Sequence, residues 1–153
     1  MPISKEEFET SQERDLSKQA EETLTFLEAT GKRLGFKVDR NYPHWVGDLD
    51  LVWYLEMSLP GLELGRLPVV GFEIETSWRT RKHVKGDVYN LQQLHPSLSI
   101  VILLKKGFKD EGKFRGLLEA TKRYAEHAGC RTLVWTEEEL ERLKAVTGAR
   151  KSE

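Results

Sequence analysis

The sequence predicts an α/β protein in the order αβββαβαβα, with a mixed central sheet flanked by helices. Three observations carry this prediction. Apolar residues recur at helical spacing over residues 11–34. Three strand-like stretches then follow one another through turn-rich connections, the pattern of a meander. Beyond residue 80, helical and strand patterns alternate, and such β-α-β units favour parallel crossovers. The 153 residues suffice for one domain with a real core. That domain is expected over residues 11–147, with residues 1–10 and 148–153 as flexible tails.

The first helix is expected from Ser11 to Leu34, with Leu16, Ala20, Leu24 and Leu27 on one stripe and Gly31 and Gly35 near its end. Residues 35–40 (GFKVDR) form a short strand, and NYPHWVG, with Pro43 and Gly47, forms a turn. DLDLVWYLEM is a second strand. Leu49, Leu51, Trp53 and Leu55 fall on one face, and Asp48, Asp50, Val52 and Tyr54 on the other. SLPGLELGRLP is a loop rich in Gly and Pro. VVGFEIETSW, residues 69–78, supplies the third strand.

The second helix runs from about Thr80 to Leu94. Val84, Val88, Leu91 and His95 line one stripe, and Pro96 stops it. LSIVILL is a continuous apolar run, as in a central strand buried on both faces. Lys109 to Ala128 is a third helix, ended by Gly129. RTLVW is the last strand, and Thr136 with Glu139 is a capping box that opens the final helix.

Apolar residues make up 39% and charged residues 32% of the chain, which suits a soluble globular protein, and a single cysteine fits a reducing, cytoplasmic setting. Lys plus Arg is 24 against 25 Asp plus Glu, a formal net charge of −1. No global basic field therefore draws in nucleic acid, and any anion site must come from local clustering. No run approaches the roughly 18 apolar residues of a membrane span, and the polar N-terminus does not resemble a signal peptide. The lone Cys130 cannot form an internal disulfide and reads as a packed thiol at a strand start. His44, His83, His95 and His127 lack zinc-ligand spacing, and there is no Walker loop, GxGxxG or nucleophile motif. Trp45 and Trp53 read as packing residues, as does Trp78, which could otherwise stack on a base.

Glu73 and Glu75 stand out because they lie two positions apart in an apolar strand, so both carboxylates point the same way. Alone, they describe the wet face of a half-buried strand. Three features argue for more. Asp48 and Asp50 share one face of the preceding strand, so acids from two strands can converge. Like charges opposed across strands cost up to about 1 kcal/mol per pair, and a divalent cation such as Mg²⁺ is the simplest compensation. The next helix opens with Arg79, Arg81, Lys82 and Lys85, cations where the helix dipole favours anions. Finally, Lys82, Lys85, Tyr89 and Gln92 form one polar stripe that edges a cleft or simply faces water.

With these residues the chain resembles the PD-(D/E)XK nuclease-like superfamily, which has a restriction endonuclease-like fold. The resemblance rests on GDLDLV at 47–52, FEIE at 72–75 and KGDVYNLQQL at 85–94, and the element order covers most of the chain. It implies Asp50, in preference to Asp48, as the motif aspartate and Glu73 as the second metal ligand. Glu75 stands where the family usually has lysine, a Glu-x-Glu variant of the third motif in which the second Glu assists water and binds metal. Alternatively, Lys82 or Lys85 supplies the lysine from the helix. A glutamate of the first helix, Glu22 before Glu21, is a further candidate near the metal.

The activity so implied is metal-dependent hydrolysis of phosphodiester bonds, with DNA preferred to RNA. Asp50, Glu73 and Glu75 hold Mg²⁺ or Mn²⁺, and the metal activates water. Glu75 orients that water or accepts its proton. Lys85, with Lys82, stabilises charge on the phosphorus centre. Arg79, Arg81, Lys82 and Gln92 contact nucleic acid, the arginines gripping the backbone without reading sequence. The other reading is a catalytically inactive module of the same fold that binds nucleic acid or a protein. With no separate recognition domain in 153 residues, a homodimer or a targeting partner is expected to help select substrate.

Overall fold

The structure is a computed structural model that describes residues 5–42, 49–62, 65–76, 81–105, 110–129 and 131–147. In the helices starting at 5 and 81, side chains are described from Lys18 and Val84 onward. The elements are α1 (Lys5–Arg33), β1 (Lys37–Tyr42), β2 (Leu49–Glu56), β3 (Arg66–Glu75), α2 (Arg81–Leu94), β4 (Leu98–Leu103), α3 (Glu111–Glu126), β5 (Thr132–Trp135) and α4 (Glu137–Val146). The order is the predicted αβββαβαβα, an α/β protein with four helices and a five-stranded mixed sheet.

Strands lie in the sheet in chain order, β1-β2-β3-β4-β5. The first three form an antiparallel meander, while β4 and β5 add in parallel after helical crossovers. Each face of the sheet carries its own core. Leu51, Trp53, Val70, Phe72, Ile100 and Ile102 pack with Leu27 of α1 and Leu140 of α4. Val52, Tyr54, Val101 and Leu103 pack with Val84, Val88 and Leu91 of α2 and with Phe114 and Leu117 of α3. As predicted for a strand covered on both sides, β4 is buried along all but its first residue. None of the helices described is long and apolar enough to cross a membrane.

Several boundaries differ from the sequence expectation. Helix α1 reaches back to Lys5 rather than starting at Ser11, since Lys, Glu, Gln and Arg are good helix formers even without an apolar stripe. Strand β1 runs through Asn41 and Tyr42, which the turn residues around them had assigned to a loop. Tyr42 is 5% exposed and pairs with Leu49. That pairing also draws Leu49 into the α2–α3 core, away from Leu51 and Trp53. Strand β3 starts at Arg66, not Val69. Pro68 sits inside it, opposite Tyr54, where the register shifts between Trp53 and Tyr54, and such an irregularity tolerates a missing N–H. His95 does not extend the apolar stripe of α2; it lies past the helix end with φ 53° and is exposed.

Both later helices have side-chain caps. Asp110 accepts the N–H groups of Gly112 and Lys113 at the start of α3. Thr136 and Glu139 form the predicted capping box of α4. The tail residues 148–153 lie outside the described residues, as does Cys130.

Candidate functional site

Alternation along β3 decides where its glutamates point. Val70, Phe72 and Ile74 pack toward α1 and α4, so Gly71, Glu73 and Glu75 face α2. Along β2, Asp50 shares a face with Val52 and Tyr54, which belong to the α2 side. The register that pairs Leu51 with Phe72 sets Asp50 beside Glu73. The three predicted acids thus meet on one side of the sheet. Glu73 is 6% and Glu75 8% exposed, so these are not the wet face of a strand.

Asp50 is held by the main chain of the neighbouring strand: its Oδ2 accepts the N–H of Ile74 at 2.8 Å. Helix α2 roofs the site, with Val84, Val88 and Leu91 against the sheet. Its approach depends on Gly71, where a Cβ would come within 2.8 Å of Leu91 Cδ2. This close packing brings in a fourth acid, Asp87, whose carboxyl lies against that of Glu75.

The electrostatics follow from burial. Desolvation pushes Glu73 up to about 9, helped by the charge of Asp50, the hydrogen bond to it, and the charge of Glu75. Desolvation also raises Asp87, to about 11, with the Glu75 hydrogen bond and the charges of Glu75, Glu73 and Asp50 acting the same way. Asp50 is raised by desolvation, against the pull of the Ile74 N–H and of the Glu73 hydrogen bond. Glu73 thus lies against Asp50 and Asp87 against Glu75, and burial disfavours charge on Glu73, Asp87 and Asp50 alike. No described Lys or Arg forms an ion pair with any of them.

Of the three buried side-chain oxygens without a hydrogen-bond partner among the described residues, two belong to these acids, Glu73 Oε1 and Asp87 Oδ2, and the third to Gln19 of α1. Buried polar atoms are normally satisfied, so an orphan on each of two neighbouring acids calls for an explanation. Carboxylate oxygens are the donors that hard cations such as Mg²⁺ and Mn²⁺ take, and by donor chemistry the set fits such an ion. Its position is not preformed. Among the described residues, no group of three or more His, Cys, Asp or Glu side chains is disposed to hold a metal.

Those of the other predicted residues that are described lie apart from the acids. Lys85 is exposed on α2. Gln92 is half-buried and packs where a Cβ on Gly129 would lie 2.9 Å from its Nε2, so its amide faces the turn after α3. Tyr89, on the same stripe, is 50% exposed. Arg81 and Lys82 belong to the first turn of α2, with side chains outside the described residues. Asp48, Trp45, Trp78 and Arg79 lie outside the described residues altogether. Glu21 is paired with Arg40 at 2.6 Å. Glu22 lines a cleft of about 160 Å³ between α1 and α4, together with Phe26, Leu104 and Leu140, on the far side of the sheet from the acids.

The sequence expectation missed Asp87. The signal was present: it lies three residues after Val84 and four before Leu91, so it continues the stripe that α2 turns toward the sheet. An acid on a core-facing stripe is a stronger indication than any residue on the polar stripe beside it. No protein-family model, no curated protein and no solved structure matches this chain.

Proposed function

We propose that the chain is a metal-dependent nuclease, a divergent member of the PD-(D/E)XK nuclease-like superfamily with a restriction endonuclease-like fold, hydrolysing phosphodiester bonds of DNA. One observation supports this above the rest. Asp50, Glu73 and Glu75 come from two strands to the same buried face, and Glu73 keeps an unpartnered oxygen there. Acids gathered out of water must either keep their protons or share a cation.

In this reading Asp50, Glu73 and Glu75 hold Mg²⁺ or Mn²⁺. When bound, the ion polarises the scissile phosphate and lowers the pKa of the attacking water. The Ile74 N–H fixes the orientation of Asp50. Glu75 takes the place of the superfamily's lysine and accepts the proton of the water. Lys85, exposed on α2, meets the charge that builds on the phosphate. Arg79, Arg81 and Lys82 hold the strand by its phosphates.

A second reading is favoured by the burial that disfavours charge on Glu73 and Asp87 and by the lack of a preformed metal position among the described residues. There the fold binds nucleic acid or a protein without cutting, and binding is salt-sensitive and indifferent to metal. The test is incubation with single-stranded, double-stranded and branched DNA and with RNA, in Mg²⁺, Mn²⁺ or EDTA. Metal-dependent cleavage that disappears in both Glu73→Ala and Asp50→Asn, with circular dichroism unchanged, supports the nuclease. Cleavage that survives in those variants overturns it. Metal-independent binding lost in Arg79→Ala/Lys82→Ala supports the second reading.

A further inference from the structure

We propose that Asp87 is a further ligand of the cation, and that cation binding therefore fastens helix α2 to the sheet. This inference rests on the metal-binding reading above and extends it to an element that reading does not use.

Three observations carry it. Asp87 stands on the stripe of α2 that faces the sheet, between Val84 and Leu91, both fully buried. Its carboxyl lies against that of Glu75, so a side chain of the roof reaches the floor of the site. Its Oδ2 is buried without a partner, as is Oε1 of Glu73, a residue only 6% exposed. Each side of the α2–β3 interface thus offers a buried carboxylate oxygen free to take a ligand.

Gly71 makes the arrangement geometrically possible. With no side chain at that point, Leu91 and Leu94 settle directly on β3, and α2 comes close enough for Asp87 to reach Glu75. A cation drawing on Asp87 as well as on the strand acids binds only the docked helix. Its affinity and the docking of α2 are then one equilibrium seen from two sides, because a ligand that prefers one conformation must populate it. Since the cation position is not preformed among the described residues, uptake requires these carboxyls to turn toward a common point.

The test uses the full chain and Mn²⁺ alone. Calorimetry reads affinity, and hydrogen–deuterium exchange reads the amides of α2 with and without the ion. In the wild type Mn²⁺ binds and slows exchange in α2. Asp87→Asn, nearly isosteric, is expected to weaken Mn²⁺ roughly 10–100-fold and to remove the added protection of α2. Asp87→Cys, in a Cys130→Ser background, shifts preference from Mn²⁺ toward Cd²⁺, since a thiolate favours the softer ion. Wild-type Mn²⁺ affinity and α2 protection in Asp87→Asn, with no metal switch in Asp87→Cys, overturn the role of Asp87 and leave the strand site standing. No Mn²⁺ uptake by the wild type overturns both.

Discussion

The carboxylate of Asp50 accepts the backbone N–H of Ile74 at 2.8 Å, so an acid of the candidate site also ties β2 to β3. The two roles separate by substitution. Asp50→Ala leaves that N–H without its acceptor and is expected to cost about 1–3 kcal/mol. Asp50→Asn keeps an oxygen in place, removes the charge, and is expected to cost less than about 1 kcal/mol. Urea denaturation in EDTA measures both. If the alanine and asparagine variants are equally stable, the bond to Ile74 carries no weight. The asparagine variant is therefore the one to use when asking whether Asp50 binds a metal.

Stability of the metal-free protein should depend on pH with a definite sign. Glu73 is raised from 4.5 to about 9, chiefly by burial, so the folded state binds its proton more tightly than the unfolded chain does. That contribution is fully present below about pH 4.5 and is lost as pH rises to about 9. Asp87 and Asp50, also raised, act in the same direction. Thermal melts in EDTA from pH 5 to 9 should show falling stability, on the order of 1 kcal/mol per pH unit for each proton involved. Glu73→Gln should flatten the slope and melt higher than wild type at pH 8. A wild-type profile flat between pH 5 and 8 would show that Glu73 ionises normally.

Much of this arrangement was legible in the chain itself. Leu51, Trp53, Phe72 and Ile74 alternate with Asp50, Glu73 and Glu75, and a period of two is enough to put the three acids on one face once β2 and β3 pair. Hidden was the depth of the site. The same alternation describes a half-wet strand, and only the placing of α2 over Gly71 makes these glutamates buried. Asp87 was missed for a related reason. The cations of α2 are conspicuous by charge and mask the one acid on its apolar stripe. Strand ends were misjudged wherever tertiary pairing overrode turn chemistry, as at Tyr42 and Pro68.

Gly71 should be intolerant of even a methyl group. A Cβ there would lie 2.8 Å from Leu91 Cδ2, 3.4 Å from Leu94 Cδ2 and 3.6 Å from Pro96 Cγ. Leu91 is fully buried and has little room to turn away. Gly71→Ala is expected to cost about 1–3 kcal/mol by overpacking, although alanine is the better strand residue. Shortening the neighbour should restore part of the loss, so Gly71→Ala/Leu91→Val should be less unstable than the sum of the single changes. Strict additivity in a urea double-mutant cycle would place the cost of Gly71→Ala elsewhere than in the helix contact.

On the opposite face, Gly31 of α1 lies against the indole of Trp53, whose Nε1–H donates to the carbonyl of Leu27 at 3.0 Å. Two effects compete in Gly31→Ala. Alanine favours a helix interior over glycine by about 1 kcal/mol. Its Cβ, however, would overlap the indole nitrogen and lie 2.7 Å from Cδ1 and Cε2 of Trp53. The ring cannot yield easily, because it is packed between Phe36 and Phe72 with centroids at 5.7 and 4.8 Å. Overpacking of this kind costs about 1–3 kcal/mol, so the net effect is expected to be destabilising despite the gain in helix propensity. Trp53→Phe removes the indole N–H and the overlapping ring edge together, and by itself should cost about 1–3 kcal/mol through lost packing and hydrogen bonding. In that background the clash is gone, and Gly31→Ala should become neutral or stabilising. The change of sign between the two backgrounds, read from thermal melts, is the diagnostic result. If Gly31→Ala destabilises equally in both, the indole is not what excludes a side chain from that position.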